Sequence, residues 1–485
     1  MGLSLALNSA RTALLATSSQ IATTARNTAG ANDPGYSRKV VSLVSGAGGT
    51  SVVVTRASDA ALFTRKLSAA SAAAEGQALL DGLTALSKTV GDTSEAGSPA
   101  ARLGAFNAAL QAAGNRPDDA VLARNAIESA RDLATSLNSA AEAVHDARLQ
   151  ADQGMADSVA RINELLGQFD LANKAVMRGT ASGQDVSDSL DDRDRILSQL
   201  SAEIGISVSD RPGGDMAITT DSGVALFDRG ARTVSFTPTA AFSAGTVGAA
   251  VTIDGVPVTG ASSPMRLASG RLAGLVSLRD DAAVTYENQL DAIAGALVDT
   301  FQEADTRSAP AYVGPMAGLF TAGSGGTLPT SSLGLAGRIA LNAAADPQAG
   351  GTVTALRDGG MNGSAYRSNP GSDAAYAGRL RALTDGLATA RSFTPGPPLN
   401  ETATLAGFAA DSAGWLEATR KAASGEADYQ KTLLSRATDA LSNAVGVNGD
   451  DETAQMLQLQ RSYTASAKIL TMVDTLLQTL LTAIR

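Results

Sequence analysis

The side chains able to do chemistry are few in this chain. Its 485 residues include one histidine and no cysteine. An HExxH zinc site needs two histidines, and thiolate catalysis, disulfides and Cys-ligated metals all need cysteine. His145 sits in AAEAVHDARL beside Asp146, in a helical pattern. It reads as a solvent-facing or interhelix polar residue rather than a catalytic base. No GxxxxGK[ST] phosphate loop occurs. The glycine clusters GAGG (46–49) and GSGG (323–326) open no helix after a strand, so they read as loop glycines. The densest acidic run is DVSDSLDDRDR, residues 185–195. A calcium loop started at Asp185 would place Leu190 where glycine is required and Ile196 where a bidentate Glu is required, so it fails. Asp191, Asp192 and Asp194 read instead as a charged helix surface beside Arg193 and Arg195. No spacing singles out a carboxylate pair among the 48 acids. The expectation is a protein with no catalytic, cofactor-binding or metal-binding residue, and not an enzyme.

The elements available to position any other kind of site are mostly helical. Charged residues make up 18% of the chain, below the ~25% of an average globular protein, while apolar residues hold at 44%. Aromatics are only 4%, so much of the apolar content is Ala and Leu, which favour helices. A net charge of −10 and a pI near 4.8 argue against nucleic acid, which requires a basic stripe. There is no stretch of eighteen uncharged apolar residues, so no membrane span is expected. The start, MGLSLALNSARTALLATSSQ, lacks a basic n-region and is interrupted by Arg11, so it does not read as a cleaved signal peptide.

Both ends carry a heptad seam. At the N-terminus Leu3, Leu7, Ala10, Leu14, Thr17, Ile21 and Thr24 step by 3 and 4, a weak seam with threonines in it. At the C-terminus the seam is Met456, Leu459, Tyr463, Ser466, Leu470, Val473, Leu477, Leu480 and Ile484. Leu457, Ile469, Leu476 and Leu481 widen it, which predicts more than one partner face. Exposed leucine on that scale must be covered. The economical arrangement pairs the two termini with each other and with copies of themselves.

Between the ends, helix is expected from a cap near Ser58 to Gly91, from Pro117 to about Met177 with a kink at Gly154, and from Ser187 to Ile204. Short β runs separated by Gly, Pro and Asp turns fill 205–262. Helix returns over 280–304, loops dominate 306–371, and helix resumes over 373–390 and 402–443. The fold class read from this pattern is mainly α with an inserted β domain, as elongated nested domains. Residues 1–40 and 447–485 form a terminal coiled coil, 41–204 and 372–446 a helical bundle, and 205–371 the insert.

The stretch ARNTAGANDPGYSRK resembles the N-terminal signature of bacterial flagellar axial proteins, roughly N-N-I-A-N-A-N-T-P-G-Y-[ST]-R. The match is carried by Asn27, Ala29, Ala31, Asn32, Pro34, Gly35, Tyr36, Ser37 and Arg38. The sequence departs from it at Arg26, Thr28, Gly30 and Asp33. The C-terminal GVNGDDETAQMLQLQRSYTASAKILTMVDTLLQTLLTAIR resembles the closing motif of the same group, with Gly449 in place of the usual Leu. Rod and hook proteins of the group turn to β structure soon after the first motif, whereas this chain is expected to enter about 140 residues of helix. DSLDDRDRILSQLSAEIGISV and ASGRLAGLVSLRDDAAVTYENQLDAIAGALVDTFQ are similar to passages of the hook-associated protein 1 family, the first hook–filament junction proteins.

That resemblance implies a structural subunit of the bacterial flagellum that self-assembles as a ring of copies. The hook protein would lie on one side and the second junction protein or filament on the other. An export chaperone would bind the C-terminal region, and passage would be through the flagellar type III channel, to an extracellular location. Alternatives are another axial protein (second junction protein, hook or rod protein) or a surface adhesin. The weak N-terminal seam predicts that both ends are disordered in the free monomer and fold together on assembly. Pro34 should stop the first helix, Tyr36 should pack on the neighbouring helix, and Arg38 should fork onto a carboxylate or carbonyls.

Overall fold

The computed structural model describes residues 2–46, 49–307, 312–323, 326–393 and 399–483. The first helix, α1 (Gly2–Gly30), runs into a turn and then a hairpin of β1 (Lys39–Gly46) and β2 (Gly49–Arg56), antiparallel from Lys39↔Arg56 to Gly46↔Gly49. This hairpin corrects the expectation that the chain enters helix, and not β structure, soon after the first motif. VVSLV and SVVVT are β-branched runs, which favour a pleated strand over a helix.

Four helices follow: α2 (Ala60–Val90), α3 (Pro99–Asn115), α4 (Ala120–Ser182) and α5 (Ser187–Glu203). Each start has a local cause. Asp59, not Ser58, caps α2 by accepting the Leu62 N–H at 2.9 Å. Ser98 caps α3, with Pro99 in the first turn where a missing N–H costs nothing. Asp119 accepts from the N–H groups of Val121 and Leu122, so α4 begins at Ala120 and Pro117 lies outside it. The 63 residues of α4 continue unbroken through Gly154 and end at Gly183, which takes the left-handed conformation. At ~1.5 Å per residue, α4 is about 95 Å long.

Strands β3 (Ile206–Asp210), β4 (Met216–Thr220) and β5 (Ala225–Phe227) form one antiparallel sheet. A second contains β6 (Val234–Ser235), β7 (Thr252–Ile253) and β8 (Val256–Pro257), the last two joined by Asp254-Gly255, both at positive φ. Helix returns earlier than expected, as α6 (Arg271–Val276), a π-helical turn over Ser277–Ala282, and α7 (Ala283–Thr300).

The segment after α7 contains β9 (Phe320–Thr321) and β10 (Ala340–Leu341), the short α8 (Thr354–Asp358), α9 (Gly378–Ala388), and the pair β11 (Arg391–Ser392) and β12 (Thr402–Ala403). Buried carboxylates organise it. Glu303 accepts the N–H groups of Met361 and Asn362 and the Asn362 amide, and Asp291 accepts those of Gly334 and Ala336. Coil that lacks a periodic apolar face still needs partners for its buried N–H groups, and these acids supply them.

The return path is α10 (Leu405–Val445) and α11 (Gly449–Ala483). Gly76 lies against Ala427 and Ser87 against Glu417, so α10 runs antiparallel to α2. A core of Phe106, Phe301 and Phe320, with ring centroids 5.2–5.6 Å apart, joins α3 to the end of α7 and β9. Tyr286 and Trp415 stack between α7 and α10.

Candidate functional site

The signature residues form a joint between the terminal helices and the rest of the chain. Pro34 cannot continue a helix, and α1 ends four residues before it. Asp33 accepts the Gly35 N–H through its carboxylate at 2.8 Å, and the Tyr36 N–H through its carbonyl at 3.0 Å, closing a tight turn. The turn sends the Tyr36 ring back onto α1. A Cβ on Gly30 would stand 2.6 Å from that ring, so the ring rests on a bare glycine. The sequence expectation put the ring on a neighbouring helix. Instead it packs on the last turn of its own helix, because the turn reverses the chain within six residues.

Asn27, buried in that same last turn, holds the reversal shut. Its Oδ1 accepts from the Tyr36 hydroxyl at 3.0 Å and the Lys39 N–H at 2.9 Å, while its Nδ2 donates to the Lys39 carbonyl at 2.9 Å. The amide thus treats the first residue of β1 as a strand partner. Arg38 reaches the other way. Its N–H donates to the Val445 carbonyl at the end of α10, its Nε to Glu452 Oε1 at 2.7 Å, and its Nη2 to Gln455 Oε1 at 3.2 Å. One prong of the expected fork meets a carboxylate and the other the Gln455 amide oxygen.

The acids of 185–195 complete the joint. The Lys39 ammonium is buried between Asp188, at 2.5 Å, and Asp191, at 3.1 Å, and lies 3.8 Å from the Tyr36 ring centroid. Burial would lower its pKa, but the bonds to Asp188 and Asp191 outweigh burial and raise it. Burial also raises the Tyr36 hydroxyl, against the pull of Lys39. Arg56 of β2 pairs with Asp191 at 3.1 Å and Asp194 at 2.7 Å, and Arg26 with Asp185 at 3.5 Å. Only Asp192 pairs with Arg195 as expected. Arg193 points inward to Asn173 and the Gly214 carbonyl. The run is the body's half of the joint rather than a solvated surface, a role spacing alone does not reveal because its partners lie over a hundred residues away.

Beyond the joint, α1 and α11 lie side by side. The end of α1 meets the start of α11, so the pair is antiparallel. Asn448 accepts the Asp450 N–H, and Asp450, Asp451 and Glu452 occupy the first turn of α11, where carboxylates suit the helix dipole. Of the seam positions, Val473 is buried, while Leu14, Ile21, Met456, Leu459, Leu470 and Leu477 are half-buried. Leu7 and Tyr463 are exposed. The side chains of Leu3 and Leu480, and Ile484, lie outside the described residues. α1 buries small residues: Ala10, Ala16, Thr17, Thr23 and Thr24. Of the signature residues, Asn32 and Pro34 are exposed at the turn, and Gly35 and Ser37 are half-buried. On α11, Leu457, Ile469, Met472 and Leu476 remain 49–64% exposed, forming a second apolar face away from the seam.

A second polar cluster lies deep in the body. Arg279, on the π-helical turn, pairs with Asp152 at 2.5 Å and donates to the Ala249 carbonyl at 3.0 Å. Arg148 donates to the Thr246 and Arg279 carbonyls, and Glu287 bridges Arg148 and His145, the latter at 2.6 Å. These contacts fasten the 239–249 loop to α4, and they place His145 between helices. Among the described residues no group of three or more His, Cys, Asp or Glu side chains could hold a metal ion, and no helix is long and apolar enough to cross a membrane.

Residues 83–309, from the last turns of α2 to nine residues past α7, match the family model described as the flagellar hook-associated protein FlgK helical domain. Residues 441–483 match the model of the flagellar basal body rod FlgEFG protein C-terminal region. Over these two regions the chain is similar to the flagellar hook-associated and axial proteins. It is similar to flagellar hook-associated protein 1 of Salmonella typhimurium, 27% identical over 208 residues, which is 42% of this chain and 37% of the relative. The corresponding Escherichia coli protein is 26% identical over 199 residues, 40% of this chain and 36% of the relative. The chain thus spans a little over a third of the length of the curated relatives it matches. The hook junction protein FlgK from Burkholderia pseudomallei aligns at 20% identity with a TM-score of 0.43, covering 54% of this chain and 47% of that one. In this chain the Arg279-Asp280 pair and the Asp-rich start of α5 both fall inside the matched helical region, as buried or half-buried structural contacts.

Proposed function

We propose that this chain is a structural subunit of the flagellar axis, placed at the junction between hook and filament and assembling through α1 and α11. The observation that carries the reading is the second apolar face of α11. Leu457, Ile469, Met472 and Leu476 project away from the seam, and an exposed stripe of that kind calls for a partner. Together with the similarity of residues 83–309 to the hook-associated helical domain, this makes copies of the same chain the partner that best suits it.

In this reading residues 1–40 with 447–485 form the assembly unit. Residues 41–204 with 372–446 form a bundle behind it, and 205–371 an insert facing outward. The hook protein would contact one side of the ring and the second junction protein or filament the other. A chaperone covering the C-terminal region before assembly, and export through the type III channel without a cleaved signal, follow from the same reading. The terminal pair would order only on assembly, which hydrogen exchange on the free monomer tests: strong protection of both ends would overturn that part.

Electron microscopy of a deletion strain tests the placement. Complete hooks without filaments are expected, together with secreted filament subunit in the medium. A strain that lacks hooks would identify a rod or hook component instead, and filaments of normal frequency would overturn the reading altogether.

A further inference from the structure

The base of the α1–α11 pair holds a small, partly open polar cavity of about 40 Å³, lined among others by Thr23, Asn27, Arg38 and Glu452. Two buried oxygens there have no hydrogen-bond partner among the described residues: Thr23 Oγ1 on α1 and Glu452 Oε2 on α11. Glu452 is fully buried and Thr23 is 3% exposed. A threonine inside a helix ordinarily satisfies its hydroxyl on the carbonyl four residues back, as Thr17 and Thr28 do in α1. Thr23 does not. A buried carboxylate oxygen and a buried hydroxyl left without partners each carry an uncompensated desolvation cost, which native proteins avoid.

We propose that one ordered water molecule occupies this cavity and bridges the two helices. It donates one hydrogen to Glu452 Oε2 and shares a hydrogen bond with Thr23 Oγ1. The volume suits it, since a water needs roughly 10–15 Å³ of accessible space and two to four polar partners. The charge balance selects water over a cation. Arg38 already sits 2.7 Å from Glu452 Oε1, so the carboxylate carries no uncompensated charge for a metal or ammonium ion to neutralise. The bridge places a hydrated polar layer in a seam otherwise built from Ala, Thr, Val and Leu. A polar layer of this kind fixes register, because sliding α1 by one turn strands both oxygens.

The test uses the full-length chain assembled into its ring, the state in which the proposed function has the terminal pair ordered. Thr23→Val is nearly isosteric but removes the hydroxyl, and Thr23→Ser retains it. With the water bridge, amide exchange over residues 449–460 speeds up about fivefold in Thr23→Val, and Thr23→Ser stays within about twofold of the parent. If Thr23→Val leaves exchange unchanged or slows it, the hydroxyl was unbridged and the proposal fails. If 449–460 exchange freely in the parent, the helix pair that forms the cavity is open and the proposal fails with it. A water-resolving structure of the parent should show a peak within hydrogen-bonding distance of both oxygens. An empty cavity, or a metal ion in it, would overturn the assignment.

Discussion

Arg38 and Glu452 are 414 positions apart, yet the guanidinium Nε lies 2.7 Å from the carboxylate, whose side chain is fully buried. One residue ends the signature turn and the other lies in the first turn of α11, so this pair couples the two ends of the chain. Arg38→Ala leaves Glu452 buried without its countercharge. Because Arg38 itself is partly exposed, the cost should fall below the ~3–5 kcal/mol of a fully buried pair, at about 2 kcal/mol. Exchange over 449–460 in the assembled protein reads it, and adding Glu452→Gln should recover part of the loss. A fully additive double variant would show that the pair does not couple.

Asn27 serves three groups at once, the Tyr36 hydroxyl and both backbone groups of Lys39. Asn27→Ala leaves a buried N–H and carbonyl unpaired, so it should cost about 2–4 kcal/mol against about 1 kcal/mol for Tyr36→Phe. Urea denaturation of the full chain compares the two, and equal losses would contradict the arrangement.

Gly30→Ala puts a methyl group into the Tyr36 ring. The ring must swing away and surrender its bond to Asn27, a loss of about 1–3 kcal/mol. In a Gly30→Ala, Tyr36→Ala protein the second change should add little to the first, since the clash is gone. Strict additivity in denaturation midpoints would show that glycine is tolerated there rather than required.

Burial pushes the Asp291 carboxyl up to about 6, against the N–H groups of Ala336 and Gly334 that favour its ionised form. Between pH 4 and 6 the folded protein therefore holds a proton that the unfolded chain has released. Its contribution, on the order of 3 kcal/mol, is present at pH 4 and is lost as the pH rises through 6. Thermal midpoints measured from pH 4 to 7 should fall relative to those of Asp291→Asn. Parallel curves for the two proteins would refute it.

The two faces of α11 should respond differently to charge. Val473→Asp places a carboxylate in the buried seam and should unpair α1 from α11. Leu476→Asp leaves that pair intact but should abolish incorporation into flagella, as measured by immunoblot of sheared filaments. Normal incorporation of Leu476→Asp would remove the outer face from the assembly interface. Leu470→Asp and Leu477→Asp, half-buried between the two, should impair both.

The parts of this fold legible in the sequence were those with long periods or strong punctuation. The α11 seam, the stop at Pro34 and the pairing of the ends all follow from spacing or backbone sterics. The hairpin of β1 and β2 was hidden because its alternation is imperfect, with Val40, Val44, Val52 and Val53 all substantially exposed and so no polar face to mark. The joint was half visible. Asn27, Tyr36 and Arg38 stood out through the family resemblance, but Lys39 and Arg56 did not, since their partners on α5 are over 130 positions away. The insert hid for a different reason. Its order comes from single carboxylates such as Glu303 capping distant N–H groups, and a lone acid leaves no periodic trace.

The polypeptide passes between the terminal pair and the body twice, at residues 31–38 and at 446–448, and the Arg38 N–H binds the Val445 carbonyl directly across those passages. Two tethers fastened to one another leave no single bond about which the pair can swivel. Twist applied to α1 and α11 therefore reaches α2 and α10 as torque instead of dissipating in a loose linker, a mechanical property suited to the axial role proposed above.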